Sequence, residues 1–104
     1  MQSPLPQRLK SARKLAKLTQ EKLSNKLGFD DRSHGTARIS QYETGKHAPD
    51  FAMAKKMADA LDVPVAYLYC DDERFAQLLL HASKLGKNEL DDLIADLSTR
   101  QATK

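Results

Sequence analysis

A single cysteine, Cys70, and no tryptophan occur among 104 residues. One thiol excludes a disulfide framework within the chain and completes no zinc pattern. The four glycines are scattered, so no glycine-rich loop is present to cradle a phosphate. His34, His47 and His81 fall in three separate segments, and the acidic pairs Asp30-Asp31 and Asp91-Asp92 have no accompanying nucleophile and base. These shortages argue against an enzyme and imply neither a cofactor nor a metal. No apolar run approaches membrane-spanning length, and the start Met-Gln-Ser-Pro-Leu-Pro-Gln lacks the apolar core of a signal peptide. The expectation is a cytoplasmic protein with no membrane partner. No strand-like alternation persists either, which leaves an all-α chain.

What is there is enough for one compact domain and a small appendage. The hydrophobic content is 40% and the net charge +3, unevenly placed. Residues 1–70 hold 12 Lys and Arg against 7 Asp and Glu, whereas residues 71–104 hold 5 against 7. A basic front and an acidic rear suggest that the front faces a polyanion.

Helical spacing organises the whole chain into about seven segments. The first begins just after Pro6, with Leu9, Ala12 and Ala16 on its apolar face. Arg13 shares that face, either snorkelling to water or buried against a carboxylate. Thr19 caps a second helix, Gln20 to Leu27, in which Ser24 is small enough for close helix contact and Gly28 supplies the stop. The polar stretch 29–35 reads as a loop, with a longer third helix capped by Ser33 or Asp31 as the alternative. Gly35 weighs against that alternative because glycine weakens a helix interior by about 1 kcal/mol. A third helix over 36–44 follows, anchored by Ile39 and Tyr42 and ended by Gly45. Asp50 caps a fourth helix with Phe51, Ala54, Met57, Ala58 and Leu61 on one face, and Pro64 opens a short fifth one ending near Tyr69. Beyond it, Phe75, Leu78, Leu79, Ala82 and Leu85 form one stripe stopped by Gly86. Leu90, Leu93, Ile94 and Leu97 form another after an Asn88 and Asp91 capping box. These two make a C-terminal helical hairpin.

Arg8-Leu9-Lys10-x-x-Arg13, Leu18-Thr19-Gln20-Glu21-x-Leu23, Leu27-Gly28, Ile39-Ser40-Gln41-Tyr42-Glu43-x-Gly45, Pro49 and Ala58-x-Ala60-Leu61-x-Val63 occur in this order. This ordered set resembles the lambda-repressor-like (Cro/repressor-type, XRE-like) helix-turn-helix DNA-binding family. The resemblance implies a five-helix DNA-binding domain over residues 1–70 that places its third helix in the major groove of double-stranded DNA. It implies base-facing roles for Thr36, Ala37, Arg38, Ser40 and Gln41, with capping of the third helix as a compatible reading of Thr36. Thr19, Gln20, Lys46 and His47 are expected to meet phosphates. Arg13 and Glu43 are expected to form a structural ion pair fixing the third helix to the first.

The chain departs from the family in one main place. Ten residues separate Gly28 from Ile39, about five more than a tight helix-turn-helix connection needs. Asp62 replaces a common glycine after the fourth helix, and Ser24 a usual alanine. Residues 71–104 lie outside the pattern and are expected to dimerise the chain, since two-fold symmetry lets a small domain read two half-sites. The function expected is a transcriptional regulator, specifically a repressor. The competing expectation is a protein-interaction module, such as an antitoxin whose C-terminal hairpin binds a partner protein.

Overall fold

Pro4 caps the first helix and Pro6 lies within its opening turn, where a missing backbone N–H costs nothing. The computed structural model describes residues 3–29 and 32–103, and in them seven helices follow one another with no strand. They are α1 (Leu5–Leu15), α2 (Gln20–Lys26), α3 (Arg32–Thr44), α4 (Phe51–Ala60), α5 (Val65–Leu68), α6 (Glu73–Ala82) and α7 (Lys87–Ala102). None is long and apolar enough to cross a membrane among the described residues.

The core is the meeting point of the apolar faces that the spacing marks out. Leu9 and Ala12 of α1, Leu23 of α2, Ile39 and Tyr42 of α3, and Met57 and Ala58 of α4 are buried together. Tyr67 and Leu68 close this core from α5, whereas Tyr69 just after it is 43% exposed. Phe51, at the first position of α4, also stays exposed. Thr19 and Asp50 cap α2 and α4, their side chains accepting from the backbone N–H groups of Lys22 and Met53. Gly28 and Gly45 both take φ +80°, which lets α2 and α3 end sharply without a Cβ penalty.

The third helix is longer than expected. It begins at Arg32, so residues 32–35 are not the preferred loop but an added first turn, and Thr36 lies inside the helix rather than at its cap. Asp31, one of the two proposed caps, lies outside the described residues. Gly35 is the reason the longer helix is tolerated despite its weak propensity. A Cβ built on Gly35 would lie 1.9 Å from Ser24 Oγ and 2.9 Å from Phe29 Cβ. Only a glycine lets α3 approach α2 this closely, and packing outweighs the roughly 1 kcal/mol propensity loss. Ser24 is fully buried in this crossing, and its hydroxyl has no hydrogen-bond partner among the described residues.

The sixth helix is braced against the domain at both ends. Arg8 of α1 donates to Glu73 at 2.6 Å and to the carbonyl of Cys70 at 2.9 Å, while its guanidinium lies over the Tyr67 ring. At the other end Lys84 donates to both the carboxylate and the carbonyl of Asp62, which takes the left-handed conformation where a glycine is common. The bond from Arg8, aided by the Gln77 amide, holds the Glu73 carboxyl below its ordinary range, and Lys84 does the same for Asp62. Both clasps are therefore intact above the carboxylate range and release only as the pH falls through those depressed values. Being exposed, they set direction more than stability.

The start of α7 differs from expectation. Gly86, not Asn88, is the cap, and Glu89 rather than Asp91 reaches back to accept from the Gly86 N–H at 2.9 Å. The helix buries no residue. Its Ile94 and Leu97 are 57% and 39% exposed, and Phe75 and Leu78 of α6 are likewise largely open.

Candidate nucleic-acid interface

One ion pair ties four backbone segments together beneath the outward face of α3. From α1, Arg13 Nε donates to Glu43 Oε2 at 2.6 Å and Nη2 to Oε1 at 3.0 Å, a two-point pairing of planar groups. Its Nη1 donates to the carbonyl of Leu18 at 2.9 Å, in the turn that Lys17 makes with φ +60°. Gln20, the first residue of α2, adds its amide to Glu43 Oε1 at 3.1 Å. The side chains of Arg13 and Glu43 are only 12% and 3% exposed. Of the two readings open for Arg13, the structure takes the buried one. Its hydrogen bonds to Glu43 outweigh the cost of burial and hold the guanidinium still more firmly protonated.

This hub fixes which side of α3 faces out. Gly35, Ile39 and Tyr42 point into the protein, so Ala37 and Thr44 face solvent. Ser40 and Gln41 lie half-buried on the two flanks of that outward face, and Thr36 is also half-buried. Arg38 stands at the border of the packed face, its guanidinium 4.3 Å from the Phe29 ring centroid and its Nη2 3.2 Å from Tyr42 Oη. The charge and donors of Arg38 are thus held to one edge of the helix rather than its centre, a placement the spacing alone did not reveal.

Of the residues expected to meet phosphate, Thr19 and Gln20 sit side by side at the start of α2. Thr19 uses its oxygen to cap the helix, which leaves its hydroxyl hydrogen to donate elsewhere. Gln20 spends one amide hydrogen on Glu43 and keeps the other. Lys46 and His47 follow α3, exposed on a turn in which the His47 N–H returns to the carbonyl of Gln41 at 3.3 Å. The structure therefore groups these candidates at the start of α2 and along and just beyond α3. Sequence reasoning missed Phe29 as the platform under Arg38 and Gly35 as the contact point with α2. The polar surroundings of Phe29 and the low helix propensity of glycine had pointed to a loop.

The helix-turn-helix family matches residues 9–68 of the chain. No curated protein matches at a significant level. Among solved structures, the crystal structure of the transcriptional regulator BswR is 35% identical in sequence, superposes with a TM-score of 0.85, and is covered over 91% of this chain and 93% of that one. With a matched segment that runs from within α1 to the end of α5 and includes the hub joining Arg13, Gln20 and Glu43, the chain belongs to the lambda-repressor-like, XRE-type helix-turn-helix family.

Proposed function

We propose that the chain is a sequence-specific DNA-binding transcriptional regulator, acting as a repressor, that places α3 in the major groove. The observation that carries this reading is the polar outward face of α3, locked by Glu43 to α1 and to the start of α2. A groove about 12 Å wide admits one such helix. Gln41 is suited to pair with an adenine edge, and Ala37 or the Thr36 methyl to touch a thymine methyl, with Arg38 and Ser40 at the flanks. Thr19, Gln20, Lys46 and His47 then hold the register on the phosphates.

Sites selected from a random duplex pool, followed by titration over salt, test the reading. Gln41→Ala is expected to relax preference at one base position by roughly 1–3 kcal/mol, whereas Lys46→Ala weakens all sequences alike. A uniform loss from both variants, or binding without a salt slope, overturns it.

The same reading includes a homodimer formed through residues 71–104. A lone 16-residue helix that buries nothing is marginal in water, and its open Ile94 and Leu97 need a partner. A second copy fits a regulator that reads paired half-sites. The double variant Ile94→Asp/Leu97→Asp is expected to run as a folded monomer in light scattering and to bind DNA with about half the wild-type salt slope, since half the phosphate contacts are lost. An unchanged mass and slope would point the stripe toward a different protein, as an interaction module requires.

A further inference from the structure

We infer that the groove between α1 and α6 is a receptor for a small carboxylate with a compact apolar body, which binds Arg8 in place of Glu73. The inference stands apart from the DNA-binding role, because the groove is lined from α1, α5 and α6 alone. It holds about 410 Å³, a volume in the range of small-molecule sites.

Arg8 is an anion receptor that already holds a carboxylate. Its side chain is 12% exposed, lies over the Tyr67 ring and is anchored through Nε to the carbonyl of Cys70. A guanidinium fixed in this way loses little freedom when it meets a planar acid. Its counter-ion is not fixed to the same degree. The Glu73 side chain is 70% exposed and takes one bond from Arg8 Nη1, with a second, at 3.3 Å, from the Gln77 amide. Nη2 of Arg8 has no hydrogen-bond partner among the described residues. The contrast with the other arginine of α1 is plain, since the carboxylate on Arg13 is bonded at two points and buried. An exposed carboxylate on a flexible stem holds its place weakly and yields it to a competitor of the same chemistry.

The walls of the groove set the rest of the ligand. Lys14, exposed on the α1 side, has no partner among the described residues. Two cations therefore face the one carboxylate of Glu73, and the surplus charge favours an anion. The buried Tyr67 ring and the largely open Leu15 supply apolar surface beside these donors. An aromatic acid covers that surface while its carboxylate meets Arg8, whereas acetate reaches the cation alone.

Titration of the nitrogen-15-labelled protein with benzoate, benzamide and acetate at constant ionic strength tests this by NMR. Benzoate is expected to shift the Arg8 Nε–H resonance in a saturable way, acetate to bind about tenfold more weakly, and benzamide to leave the resonance in place. Glu73→Gln is expected to tighten benzoate about tenfold by removing the internal competitor, a gain that a disturbed fold does not produce. Lys14→Glu, at an exposed position, is expected to weaken benzoate about fivefold with the melting temperature unchanged. No saturable shift in either the wild type or Glu73→Gln, equal shifts from benzamide, or a Glu73→Gln variant that binds no tighter each overturns the inference.

Discussion

Glu43→Ala is expected to lower the unfolding free energy by about 3–5 kcal/mol, as read by chemical denaturation. The carboxylate accepts three hydrogen bonds, two from Arg13 and one from Gln20. Its loss leaves a nearly buried guanidinium with the carbonyl of Leu18 as its remaining partner among the described residues. A buried charge without its counter-ion is far more costly than the net contribution of the intact pair. The double variant Arg13→Met/Glu43→Leu is accordingly expected to recover most of the loss, because it removes both charges and refills the space with apolar groups. A double variant that melts well below either single variant would show that the hub does more than neutralise itself. The functional consequence lies in position rather than stability alone. The same carboxylate sets α3 against α1 and the start of α2, so a loosened hub shifts α3 against α2, and with it the alignment on which the proposed DNA reading depends.

Gly35→Val should cost about 3 kcal/mol or more, at or beyond the upper end of ordinary overpacking. Gly35→Ala is milder, since about 1 kcal/mol gained in helix propensity offsets part of the clash. The obstacle is specific. Ser24 Oγ stands closest to the missing Cβ, with Phe29 Cβ behind it. Ser24→Ala removes the first obstacle and also a buried hydroxyl that has no partner among the described residues, so alone it is expected to stabilise by about 1 kcal/mol. Combined with Gly35→Ala it should recover part of the alanine penalty, a coupling that a double-mutant cycle measures. If Gly35→Ala instead raised stability by the full propensity gain, α2 and α3 would not be in the close contact described.

The two variants bear on what a sequence discloses. Pattern-bearing positions were legible: Leu9, Ile39, Tyr42, Met57 and Leu68 repeat at helical spacing and are buried together. Arg13 and Glu43 were legible as a pair only through family resemblance, since 30 residues separate them and nothing local links them. The start of α3 was not legible. Local propensity counts Gly35 as a helix weakener, while its value lies in a contact with Ser24 that exists only once the helices have packed. Residues 29–35 were read by composition alone, and for 32–35 tertiary packing decided instead. Phe75 and Ile94 were legible as apolar stripe members, but periodicity cannot say whether a stripe meets its own domain or another molecule.

The bracing of α6 has a consequence for the geometry of any paired site. Because Arg8 grips one end and Lys84 the other, the helix acts as a strut on the domain that carries α3. In a two-fold assembly joined beyond that strut, the distance between the two reading heads is a property of folded protein, like the span of a calliper. If the proposed dimer is joined there, it would accept one spacing and one rotational phase along the duplex, and reject half-sites that a flexible tether would tolerate.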